Sequence, residues 1–204
     1  DHHFILVDPM QDLLQRMKVK PNSYSLVSVA LGAEEGVLPF HDQGGRSSFM
    51  EVNEFDSPAR LYAADTPEAN PKTYEVPIKT LDALLAEQNP DARFGLKLDV
   101  EGYERPIIKG GAHALRNCRF IVLEISILQR FKNGDMVSDI FAELAEAGFE
   151  FYNFLNAWDE KPKFYDFLFL PRDTDMVPIT YDEGSAMALL FRSRMADRAG
   201  DAAS

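Results

Sequence analysis

An α/β fold, a mostly parallel doubly wound sheet with a C-terminal antiparallel hairpin, follows from three features of the sequence. Short apolar runs suited to buried strands alternate with segments whose apolar residues recur at helical spacing. The last two runs, Phe149 to Leu155 and Tyr165 to Leu170, are separated by a loop holding Trp158 and Pro162, so they are expected to pair antiparallel. The strand Phe94 to Val100 is broken by Gly102 and carries Asp99 and Glu101 at its end, the rim where open α/β sheets collect their ligands.

Phe4 to Val7 is an uninterrupted apolar run closed by Asp8-Pro9 and predicts a buried parallel strand; Met10, Leu13, Leu14 and Met17 predict a helix after it. Tyr24 to Leu31 predicts the next strand. Gly32 to Gly36 then turns the chain into Val37-Leu-Pro-Phe40, a hairpin partner with Pro39 on an edge, where a missing N–H is harmless. Residues 41 to 75 are polar and punctuated by Gly44, Gly45, Pro58, Pro67 and Pro71, which predicts an inserted loop region over the site. Leu81, Leu84 and Leu85 give one face of a helix ending before Pro90, and Pro106 suits the first turn of the helix that follows the acidic strand. Phe120 to Ile125 is the next strand. Ile140, Phe141, Leu144 and Ala147 alternate with Asp139, Glu143 and Glu146 on an amphipathic helix that Gly148 closes. One domain over residues 1–195 and a small polar tail over 196–204 are expected.

Several of these segments form an ordered set. Thr80-Leu-Asp82 stands at a helix start, Leu96-Lys-Leu-Asp-Val-Glu-Gly102 on a strand, Lys109-Gly110 on a helix and Glu124 on the next strand. In that order they resemble the FkbM-type family of S-adenosylmethionine-dependent methyltransferases. The motifs lie between residues 76 and 126, and the strand order extends the resemblance over 4 to 170. It implies a Rossmann-like sheet, S-adenosylmethionine as cofactor, and methylation of a hydroxyl on a small molecule or sugar.

The resemblance also implies site residues. Asp8 would hold the cofactor's ribose hydroxyls, Asp99 would face its methionine end and the acceptor, Ser48 would lie near it, and Ala30 and Leu31 would pack on the adenine. Asp99, Glu101 and Glu124 are the catalytic candidates. Read by themselves, Asp99 and Glu101 equally suit helix capping, Asp8 an Asp-Pro turn, and Ala30 and Leu31 the core. A strand running through Glu101 would point Asp99 and Glu101 to opposite sides. Their proximity can leave one carboxylate able to act as a base. Glu124, at the end of an apolar strand, needs a salt bridge or a site role. Lys97 reads as structural, facing a helix end or pairing with Glu124.

Composition narrows the partners. A net charge of −12 and a pI near 4.7 repel polyanions, which argues against nucleic acid. Cys118 is the only cysteine, so no intramolecular disulfide and no thiolate metal cluster can form, and a structural thiol is expected. His2, His3, His41 and His113 are scattered and predict no metal site. No run of about 20 apolar residues is present, so no membrane span is expected, and a cytoplasmic location is the cautious reading.

The fold usually places a Gly-rich turn after a first strand, where backbone amides meet the cofactor's carboxylate. No Gly-x-Gly precedes Asp8, which predicts an N-terminally incomplete domain lacking its central strand, between 4–7 and 94–100. Either those two strands then pair directly and bring Asp8 near Asp99, or a gap remains for a partner chain, as in a homo-oligomer; cofactor binding is expected to be weak in both cases. Two other functions stay open. One is a remnant or interaction module that keeps the fold without the activity. The other is a dinucleotide or nucleotide-sugar enzyme, which Asp8 alone would permit but which gives no reason for Leu96 to Gly102.

Overall fold

The structure is a computed structural model, and it describes residues 2–10, 18, 20–42, 47–53, 72–155 and 164–174. These fall into two compact units, one holding residues up to Ser28 and the other Val29–Thr174. In the first, β1 (Phe4–Val7) pairs in parallel with β2 (Tyr24–Val27) in a two-stranded sheet. His3 bridges to the hydroxyls of Ser23 and Ser25 at 2.7 and 2.9 Å. The expected helix over Met10 to Met17 lies outside the described residues apart from Met10.

The second unit contains two further sheets. β3 (Ala30–Leu31), β4 (Gly36–Asp42) and β5 (Lys72–Lys79) form one, in the order β3-β5-β4. β6 (Phe94–Leu98), β7 (Cys118–Ser126), β8 (Phe149–Phe154) and β9 (Phe164–Pro171) form the other, in the order β6-β7-β9-β8. α1 (Leu81–Gln88) follows β5, α2 (Glu104–Lys109) and a 3₁₀ turn (Ala114–Asn117) connect β6 to β7, and α3 (Val137–Glu146) precedes β8.

The expected single, mostly parallel sheet is therefore corrected to three sheets among the described residues. Parallel pairing is confined to β1–β2, β3–β5 and β6–β7, while β4–β5, β7–β9 and β8–β9 are antiparallel. The break begins where Tyr24 to Leu31 was expected to be one strand. β1 ends at Asp8-Pro9, and Pro9 has no N–H to extend the ladder, so β2 stops at Val27. Ala30 and Leu31 pair instead with Ile78 and Lys79 of β5.

The Gly32–Gly36 turn also does not join paired strands. β5 lies between β3 and β4, and the first half of β5 occupies residues expected to be loop. The reason is the alternation Tyr74, Val76, Ile78, which matches Phe40, Leu38 and Gly36 across the ladder and buries Phe40, Val76 and Ile78. Pro77 is tolerated inside β5 because β3 begins opposite Ile78, leaving no registered strand residue beside Pro77 on that side. Pro39 lies on the edge strand β4, as expected.

The four-stranded sheet carries the main core. Ile121, Leu123 and Ile125 of β7 lie opposite Phe169, Phe167 and Tyr165 of β9, and all six are buried. Phe141 of α3 meets the rings of Phe167 and Phe169 edge-on at 5.5 and 5.0 Å, beside buried Ile140 and Leu144. Val122 and Leu168 on the other face are buried too, which is why these strands read as continuous apolar runs. The β8–β9 pair bears out the expected C-terminal hairpin. No helix among the described residues is long and apolar enough to cross a membrane.

The Thr80-Leu-Asp82 and Lys109-Gly110 segments form a structural clamp. Thr80 caps α1 by accepting the Ala83 N–H at 3.0 Å, and Leu81 is buried. The Asp82 carboxylate accepts from His113 N and Ala114 N at 3.2 and 2.7 Å, capping the 3₁₀ turn, while Asp82 N donates to Gly110 O at 3.0 Å. Gly110 is required because a Cβ there would collide with the backbone carbonyl of Gly32. Gly110→Ala is expected to destabilise the protein by about 1–3 kcal/mol through forced backbone displacement. A urea denaturation midpoint equal to that of the wild type would contradict this packing.

Candidate active site

The acids expected at a strand end lie in a turn. β6 stops at Leu98, so Asp99 follows the strand, Glu101 adopts the left-handed region at φ 50°, and Gly102 continues it at φ 92°. The extended geometry that would have aimed Asp99 and Glu101 to opposite sides is thus corrected. A non-glycine residue in this region costs on the order of 1 kcal/mol and persists where its surroundings over-determine it.

Those surroundings are explicit. The Arg130 guanidinium donates from Nη1 to Glu101 Oε2 at 2.8 Å and to Ser126 Oγ at 3.3 Å, and Arg130 is only 6% exposed. Ser48 Oγ donates to the Glu101 carbonyl at 2.7 Å and accepts from Met50 N at 3.0 Å. Glu104 Oε1 accepts from Gly102 N at 3.1 Å. Phe131 fills the space beside Gly102, where a Cβ would lie 2.5 Å from its ring. Two loops thereby close on the turn, and they are joined to each other: Asn53 N donates to Arg130 O at 2.8 Å, and Lys132 N to Glu51 O at 2.7 Å. Rings of Phe40, Phe49 and Tyr103 run in sequence at 5.0 and 4.8 Å, tying β4 to the residue after Gly102.

Glu101 is therefore half of a buried ion pair. Removing one partner of such a pair strands a charge and costs about 3–5 kcal/mol. Asp99 is the exposed acid of the turn, with 43% of its side chain accessible and Lys97 Nζ at 3.3 Å. Lys97 also reaches Asp166 Oδ1 at 3.4 Å. Asp166 lies opposite Glu124 and Lys97 opposite Val122, so Lys97, Glu124 and Asp166 share one face of the sheet. Glu124 does not end its strand, as expected from sequence, because β7 continues to Ser126.

The other candidates lie as follows. Ser48 is fully buried against the turn, and Ser47 donates to Asp42 Oδ1 at 3.2 Å. Ala30 and Leu31 are buried in β3, adjoining β5. In the other unit, Asp8 closes β1; its Oδ1 accepts from Met10 N at 2.6 Å, and burial raises its pKa, partly offset by that bond. Cys118 is buried, its Sγ donates to Phe120 O at 3.1 Å, and burial pushes the thiol up to about 12, so it is inert as a nucleophile. His41 Nδ1 is 3.1 Å from Thr73 Oγ1 across the β4–β5 ladder.

Sequence reasoning missed Glu104 and Arg130. Both line a small cavity of about 10 Å³, together with Gly102, Ser126, Phe131 and Asp135, roomy enough for about one water. Glu104 is 3% exposed. Burial pushes its carboxyl up from 4.5 to about 7, with the N–H groups of Glu104 and Gly102 opposing and the charges of Glu101 and Asp99 adding to the rise. The available signal was Asp-Val-Glu-Gly-Tyr-Glu, a third acid following a glycine.

The arrangement defines a class, a mixed α/β protein whose acids gather in a rigid turn at the end of a parallel strand. Comparison with known families is specific: the methyltransferase FkbM domain matches residues 1–151. The chain belongs to the FkbM methyltransferase family. No curated protein and no solved structure shows significant similarity to it.

The raised Glu104 pKa has a defined consequence for stability. A carboxyl that titrates higher in the folded state favours folding while protonated, so its contribution is complete below pH 4.5 and lost as pH rises through about 7. Glu104→Gln keeps the acceptor for Gly102 N and cannot ionise. Denaturant titrations from acid to mildly alkaline pH should show wild-type stability falling across this window, by up to about 3 kcal/mol. The variant should lack that fall. Parallel curves for the two proteins would contradict the assignment.

Proposed function

We propose that the chain is an S-adenosylmethionine-dependent methyltransferase acting on a hydroxyl of a small molecule or sugar. The observation that carries this reading is the acid turn of an FkbM-family chain, in which Glu101 and Glu104 are committed to internal contacts and Asp99 remains accessible. Asp99 is the acid of the turn that a cationic cofactor can meet, since Glu101 is paired with Arg130 and Glu104 is buried with its carboxyl raised to about 7. S-adenosylmethionine supplies an electrophilic methyl group on a sulfonium.

Asp99 is the residue assigned to the acceptor. Its carboxylate can accept a hydrogen bond from an acceptor hydroxyl, orient that oxygen and receive its proton as the oxygen becomes a nucleophile. Lys97 and Asp166 restrain the approach to Asp99 from the sheet face. Glu124, which shares that face, adds negative charge. Asp8 is assigned to hydroxyls of the cofactor's ribose; its Oδ1 accepts from Met10 N, as a carboxylate with further acceptor capacity can. Ser48 is assigned to the support of the turn, and Ala30 and Leu31 to apolar packing.

Calorimetric titration with S-adenosylmethionine and with its demethylated product tests the cofactor assignment. Asp8→Ala should weaken binding, because it removes ground-state hydrogen bonds. Asp99→Ala should leave binding nearly unchanged and slow release of demethylated cofactor in the presence of a panel of hydroxylated acceptors, by about 100-fold, the lower end of a general-base contribution. Absence of heat with either ligand at millimolar concentration, together with binding of a nicotinamide dinucleotide, would overturn the proposal.

A further inference from the structure

We infer that Arg130 is a positioning residue for Asp99, acting through Glu101; this rests on the methyltransferase reading for its functional meaning but on geometry for its existence. Arg130 lies on the segment after β7 and is far in sequence from the turn it holds. Its Nη1 contacts both the Glu101 carboxylate and Ser126 Oγ, so one guanidinium nitrogen fixes the turn to the end of β7. The Glu101 backbone is held independently by Ser48 at its carbonyl. The following residue is held by Glu104 at the Gly102 N–H. A left-handed Glu101 at φ 50° is the conformation that these restraints select.

Asp99 precedes Glu101 by one intervening valine, so a change in the Glu101 backbone redirects the chain on which Asp99 rides. Restraint at Glu101 is thus restraint on Asp99. Arg130 is itself fixed: its carbonyl accepts from Asn53 N at 2.8 Å, and its guanidinium lies 5.4 Å from the Phe131 ring centre. The same phenylalanine ring abuts Gly102. Arg130 therefore couples the 47–53 loop, the end of β7 and the acid turn in one packed assembly, and it does so from a buried position.

The test uses Arg130→Met, Arg130→Lys and the double variant Arg130→Met/Glu101→Gln. The double variant removes both charges, so it avoids the stranded carboxylate that threatens folding of the single one. Positioning predicts that the folded double variant shows amide exchange at Gly102 faster by about tenfold or more, a shifted Asp99 amide resonance, and acceptor-dependent release of demethylated cofactor slowed about tenfold with S-adenosylmethionine binding nearly unchanged. Arg130→Lys should recover part of each effect, since an ammonium can reach Glu101 but lacks the planar fork. Unchanged Gly102 exchange and Asp99 resonance in the folded double variant would overturn the inference. If the wild type fails to bind S-adenosylmethionine, the functional reading fails alone, and the exchange and resonance measurements still decide whether Arg130 positions the turn.

Discussion

The ion pair between Arg130 and Glu101, 2.8 Å apart and largely shielded from water, is the contact on which the candidate site depends. It stabilises a left-handed residue at the end of a parallel strand and so decides where the chain goes after β6. Other restraints act in the same direction. Ser48 takes the Glu101 carbonyl, Glu104 the Gly102 amide, and Phe131 the volume that any side chain at position 102 would need. Each is modest alone, at about 0.5–1.5 kcal/mol for an ordinary hydrogen bond. Together they leave the turn one conformation, with Asp99 as its accessible acid.

The division of labour among the acids follows from burial. Glu101 is compensated by a guanidinium; Glu104 is buried with backbone N–H groups and, among the described residues, no cation, and its carboxyl rises to about 7. Asp99 sits near Lys97 on the open side. Three carboxyls within one turn thus have three roles: one sets the backbone, one holds a proton near neutrality, and one meets the acceptor under the proposed function. The Asp82 clamp serves the rest of the unit in a similar way, because it ties the 3₁₀ turn and Gly110 to the start of α1, with Gly110 packed against Gly32 just after β3.

Much of this was legible in the sequence where the signal is local. The apolar runs of β6 and β7, the helical spacing of Ile140, Phe141 and Leu144, and the C-terminal hairpin all express burial patterns contained within a few residues. Partner choice was not legible. Tyr24 to Leu31 reads as one strand, but its halves pair with different partners, because Pro9 ends one ladder and the Tyr74-Val76-Ile78 alternation opens another far along the chain. The same limit applies to the site. The motif identified Asp99 and Glu101 as acids, but the separate fates of Glu101 and Glu104 depend on Arg130 and Phe131, which come from a distant loop whose arrival no local pattern announces.

The most direct test of the account is an amide nuclear magnetic resonance titration of the full chain with S-adenosylmethionine. Saturable shifts are expected at Asp99 and the residues of the turn through Glu104, at ligand concentrations that match the calorimetric heat. Saturable binding that leaves the resonances from Asp99 to Glu104 in place would contradict this.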